Sequence, residues 1–150
     1  MKPVEALKEL NLVCWPALFV GLQRGWAAKS DIADYAVNLL STDLDNGNEN
    51  IAILAGADSL DDSEVKDLLL QVGEEMEPPE AIEKWRLATL TALSESALSE
   101  EEKIDKLQEL YAEFDYPEDM ASCSIYSQDT VDPLAAMSEV ISALKKKFTG

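Results

Sequence analysis

The stretch STDLDNGNEN, residues 41–50, is the part of the chain that comes nearest to metal chemistry. Two aspartates stand two residues apart, a glycine follows, and most of the remaining side chains carry oxygen. An EF-hand calcium loop takes side-chain ligands at positions 1, 3 and 5, glycine at 6 and a bidentate glutamate at 12. Counting from Asp43 puts Asp45 at position 3, but Gly47 falls one residue early and Leu54 stands where the glutamate belongs. The register fails at two necessary places. Asn-Gly among other Asx residues is turn chemistry, and Asn48 or Asn50 suits the N-cap of a helix starting near Ile51. The stretch is expected to be a helix connection, and no metal site is expected.

Catalysis finds equally little support. The chain has no histidine, so the commonest general base and metal ligand is missing. Cys14 has no imidazole to activate it. Gly21 and Gly25 are not followed by the Lys-Ser or Lys-Thr of a phosphate loop. Carboxylates abound, but none falls at a spacing that defines a site. No enzymatic activity and no cofactor are expected. Cys14 and Cys123 lie far apart in sequence and read as free thiols of a reducing compartment.

The elements that must position any functional residue are helices. Pro3 and Pro16 suit first helical turns, and Gly25 suits a helix stop. Ser30 is placed to cap a helix from Asp31 to about Leu40, with Ile32, Tyr35, Ala36 and Leu39 on one face. A two-turn helix follows over IAILAGA. Next comes a helix with Val65, Leu68, Leu69 and Val72 on one side, ending near Gly73. Pro78 and Pro79 open another, with Ile82, Trp85, Thr89 and Leu93 aligned. Ser99 and Glu102 form a capping box before a helix carrying Ile104, Leu107, Leu110, Tyr111 and Phe114. Tyr116-Pro117 breaks the chain, a short helix follows from Glu118, and SQDTVDP reads as loop. Asp132 and Pro133 then begin a last helix with Leu134, Met137, Ile141, Leu144 and Phe148 in a stripe. No alternating run marks a strand. The expected fold is all-α: seven or eight short helices, antiparallel where loops are short, in one globular or slightly curved domain over residues 1–150.

Charge is the strongest bulk signal. Acidic residues number 30 against 12 basic, a net charge of −18. The excess is concentrated: residues 31–80 carry 14 acids and the single base Lys66, whereas residues 1–30 carry four bases and two acids. Such a chain repels nucleic acid and anionic membranes. It attracts basic proteins. A solvated face that only keeps the chain soluble would show the same composition. The sharper reading makes the acids from Asp58 to Glu80 a docking surface: Asp58, Asp61, Asp62, Glu64, Asp67, Glu74, Glu75, Glu77 and Glu80. The longest apolar run, residues 10–22, is too short to span a bilayer and is broken by Pro16; no export signal is expected, and the cytoplasm is the expected setting. Trp15, Trp26, Trp85, Tyr35, Tyr111 and Phe114 fall at helix-face positions, where they serve either a core or a binding hot spot.

The segment LYAEFDYPEDMASCSIY, residues 110–126, resembles a signature of a family of small bacterial proteins known as a domain of unknown function. The matching residues are Tyr111, Phe114, Tyr116, Pro117 and Tyr126. Gly21 with Gly25-Trp26, Asp31-Ile32 and Tyr35-Ala36 are similar to an earlier piece of the pattern, and Lys84-Trp85 to a third. Cys123 and Ser124 depart from the bulkier apolar residues of that pattern. Members look like immunity proteins encoded beside polymorphic or contact-dependent toxins. The resemblance implies a cytoplasmic protein that binds and neutralises one cognate toxin, without enzymatic activity. It transfers no binding residues, and Trp26, Tyr35, Trp85, Tyr111, Phe114, Tyr116 and Pro117 read as structural. A nuclease is the natural basic partner, since it must itself hold phosphate. The alternative is an acidic nucleic-acid mimic or regulatory adapter that binds a basic host protein.

Overall fold

In a computed structural model of the chain, prolines, glycines and serines punctuate one helix after another. The structure describes residues 2–43, 47–72, 78–124 and 132–149. Eight α-helices occur among them: α1 Pro3–Glu9, α2 Trp15–Arg24, α3 Lys29–Ser41, α4 Glu49–Leu54, α5 Asp62–Val72, α6 Pro78–Ser94, α7 Glu100–Glu113 and α8 Pro133–Thr149. Two 3-10 turns, Ala57–Ser59 and Glu118–Cys123, complete the set, and the described residues include no strand. The fold is all-α.

Local chemistry explains the boundaries. Pro3 and Pro16 sit in first turns, where a missing N–H costs nothing. Gly25 ends α2 with φ +77°, a conformation that suits glycine. α3 begins earlier than the expected Ser30 cap. The Asp31 carboxylate reaches back to accept the Ala28 N–H at 2.8 Å, so Ala28 is the N-cap. Ser99 caps α7 by accepting the Glu102 N–H at 3.2 Å, and its hydroxyl donates to the Glu102 carboxylate at 3.2 Å.

The described parts of residues 41–50 close α3 and open α4. Thr42 ends α3 and donates its hydroxyl to Asn38 O at 2.8 Å. Asp43 and Gly47 both take positive φ, and Asn48 caps α4 by accepting the Asn50 N–H at 3.0 Å. Asp45 lies outside the described residues, as do Gly73, Tyr126 and all of SQDTVDP before Asp132.

The chain gathers into two compact units. One is Asn11–Trp85. There α5 packs on α2 and α4, while α4 and the turn Ala57–Ser59 pack on α3. Leu18, Ile32, Leu54, Val65, Leu69 and Trp85 are fully buried. The other unit is Met1–Leu10 with Arg86–Gly150, in which α8 packs on α7 and on the turn Glu118–Cys123. Its core includes Leu7, Leu90, Leu107, Met120, Met137 and Leu144. The sequence placed Ile82, Trp85, Thr89 and Leu93 on one apolar face of α6. In the structure Ile82 and Thr89 are only half-buried, while Trp85 to Ala88 and Leu90 to Leu93 are buried. The small and apolar residues Leu87, Ala88, Leu90 and Ala92 let α6 bury most of its circumference, as an interior helix does.

α7 ends in a Schellman motif. The Asp115 N–H donates to Ala112 O at 3.1 Å and the Tyr116 N–H to Tyr111 O at 2.9 Å. Asp115 holds the left-handed position, φ +64°, that glycine usually fills, and Tyr116 follows at φ +53°. Each such non-glycine residue costs roughly 1 kcal/mol.

Candidate functional site

The acidic segment builds the turn Ala57–Ser59 and the N-terminal end of α5. Asp62 and Glu64 lie in the first turn of α5, where the helix dipole favours negative charge. Asp58, Asp61, Asp62, Glu64, Asp67 and Glu80 are all exposed. Glu74, Glu75 and Glu77 lie outside the described residues. One cation meets this group. Lys29 reaches from α3, donates to Leu60 O at 2.7 Å and stands 3.6 Å from the Asp62 carboxylate. Asp58, Asp61, Glu64, Asp67 and Glu80 have no ion pair among the described residues. Glu64 and Asp67 continue outward along α5 to Leu70, which is 65% exposed. Beside Leu70, Gln71 accepts a hydrogen bond from Asn50 of α4 at 3.1 Å. The exposed Ile53 lies one turn beyond Asn50. The helices that carry and adjoin the carboxylates thus each expose one large apolar side chain, which charge counting could not reveal.

The aromatics named in the sequence occupy two other places. In Asn11–Trp85, the Trp85 indole N–H donates to Ala17 O at 2.6 Å, and Trp26 stacks at a tilt on Trp85 with centroids 5.9 Å apart. Trp15 meets Tyr35 edge-on at 4.7 Å. Gly21 faces Trp85 so closely that no side chain fits between them. In the second unit, Tyr111 and Tyr116 meet edge-on at 5.1 Å, Phe114 is buried, and Pro117 leads into the turn Glu118–Cys123. Tyr116 stands apart from the rest, since it is 63% exposed.

Two polar features escaped the sequence reading. Arg86, with only 7% of its side chain exposed, pairs with Asp119. Nothing in α6 marks Arg86 as inward, because its partner comes from a turn 33 residues away. Nearby, burial pushes the Cys123 thiol up from 9.0 to about 11; the Asp119 charge adds to that rise and Arg86 opposes it. Gln108 holds the same turn by donating to Cys123 O at 2.9 Å. Cys14 is half-exposed, with Lys84 Nζ 3.8 Å from its sulfur. An open hollow of about 190 Å³ is lined by apolar side chains such as Leu93, Leu98 and Leu110, with Lys106 at its wall and no carboxylate. Among the described residues no group of three metal-ligating side chains occurs, and no helix is long and apolar enough to cross a membrane.

Among the described residues, fold and side chains define an all-α protein with Trp15, Trp85 and Phe114 buried and the acids of α5 exposed. The chain belongs to the bacterial family described as "Uncharacterized protein conserved in bacteria (DUF2247)", whose model matches residues 5–149. No curated protein and no solved structure matches it.

Proposed function

We propose that this protein is an immunity protein that binds one cognate toxin and neutralises it by stoichiometric occlusion. The partner is a basic protein, and a nuclease fits best because its own substrate is a polyanion. The observation that carries the reading is the outward acidic segment, with Asp58, Asp61, Glu64, Asp67 and Glu80 exposed and without ion pairs among the described residues. Carboxylates that serve only the fold are commonly paired or cap a helix. Glu80 lies in the first turn of α6, but Asp67 is beyond the first turn of α5, and its field is available to a cationic surface. Exposed Leu70 of α5 and Ile53 of α4 add the apolar contact that charge steering alone does not provide. On this reading the protein works in the cytoplasm and performs no catalysis.

The test is co-purification with the product of the neighbouring upstream gene, washed across a salt series. A tight 1:1 complex that associates about tenfold more slowly in high salt is expected, because steering between opposite charges is screened. The triple variant Asp61→Asn, Glu64→Gln, Asp67→Asn should slow association and flatten the salt dependence. Tight binding indifferent to both salt and the triple variant would move the interface away from residues 58–80. No binding at all would remove the toxin pair itself.

A further inference from the structure

The corner after α7 presents an aromatic ring in an unusual way. Tyr116 takes φ +53°, outside what a bulky side chain ordinarily adopts, and leaves 63% of its surface in solvent. Its backbone is nevertheless well held, by the bond from its N–H to Tyr111 O at 2.9 Å and by Pro117 immediately after. The Tyr111 ring meets it at 88°, which fixes its orientation while leaving most of the ring uncovered. A Schellman motif needs only an apolar contact at this position. An aliphatic side chain would satisfy that need and expose less.

The surroundings specify what the ring can receive. Asp115 precedes it and Glu118 follows two residues on; both are exposed and have no ion pair among the described residues. Arg86, the base of the adjoining pair, is already committed to Asp119. An exposed π face flanked in sequence by two exposed carboxylates suits a cation. Between cations it suits a guanidinium, which stacks on aromatic faces and engages carboxylates through its planar fork. The same carboxylates repel phosphate. We propose that Tyr116, with Asp115 and Glu118, is a docking point for an arginine side chain of a basic protein partner. The inference stands whether or not residues 58–80 bind anything.

The experiment uses the whole chain with its tyrosines labelled for aromatic NMR, and as probe a capped Gly-Arg-Gly-Arg-Gly peptide. Four tyrosines keep the assignment simple. Saturable movement of the Tyr116 ring signals is expected, with an upfield shift of the arginine side-chain protons. Y116L keeps the apolar contact with Tyr111 but removes the π face, and should weaken binding at this corner about tenfold. Y116F should bind within about twofold of the parent, since the ring face remains. The lysine counterpart of the peptide should bind several-fold more weakly. An unmoved Tyr116 ring at saturation would overturn the proposal. So would an unchanged arginine shift with a folded Y116L, or equal affinity for the lysine peptide.

Discussion

Gly21 and Trp85 are complementary in shape: a Cβ at residue 21 would lie 2.5 Å from Trp85 Cζ2 and 3.0 Å from the Ala27 Cβ. The indole cannot retreat, because its N–H is bonded to Ala17 O on the same helix as Gly21. Gly21→Ala is therefore expected to destabilise the protein by about 1–3 kcal/mol through overpacking. Urea denaturation measures this, and Trp fluorescence of the folded state should report a displaced indole. A loss below about 0.5 kcal/mol would mean that the indole does move aside.

The Arg86–Asp119 pair predicts an asymmetry. Arg86 is 7% exposed and Asp119 47%. Asp119→Asn leaves a buried cation without its counter-charge, whereas Arg86→Met leaves a carboxylate that water can solvate. The first should cost about 1–3 kcal/mol and the second less. Paired denaturation curves decide it; equal losses would show that the pair acts through geometry alone.

At the end of α7, Asp115 stands where glycine is conformationally free. Asp115→Gly should stabilise the protein by about 0.5–1 kcal/mol, visible as a rise in Tm of about 2–4 °C. A fall in Tm would mean that the Asp115 side chain contributes more than its backbone costs.

Cys123 sets a pH dependence. Its folded pKa is raised from 9.0 to about 11, chiefly by burial, so the fold favours the neutral thiol. The resulting stability is fully present below pH 9 and is lost as pH rises through 11. Each unit is worth about 1.4 kcal/mol, so the fall amounts to about 2–3 kcal/mol. Lysines and tyrosines titrate in the same window, so Cys123→Ala is the control, and its stability should fall less between pH 9 and 11. Thiol labelling offers a second readout: half-exposed Cys14 should react in the folded state and buried Cys123 only on unfolding.

The helices were legible because their punctuation is local. Pro3, Pro16, Gly25, Ser99 and Pro133 each act within one turn of the boundary they mark. Ser30 misled for a related reason: the Asp31 carboxylate, at the third helical position, bonds the Ala28 N–H and starts the helix before Ser30. What the sequence could not show is long-range. Arg86 looks like any charge on a helix until Asp119 is brought beside it, and Trp85 needs Gly21 across 64 positions. The acids of residues 58–80 were legible as composition. The outward placement of the described ones, and the exposure of Leu70 and Ile53, follow from which faces α4 and α5 bury.

The division of the chain carries a consequence for its synthesis. Asn11–Trp85 is one uninterrupted segment, so it can close its core while later residues are still being made. The other unit joins Met1–Leu10 to Arg86–Gly150. α1, with Val4, Ala6 and Leu7 destined for the interior, must therefore wait until residues beyond Arg86 are made before its partners exist. Its closing contacts span a long loop and form slowly. Turns made before the central segment are sheltered only after it, and a chaperone that receives nascent chains would meet them before the rest of the fold does.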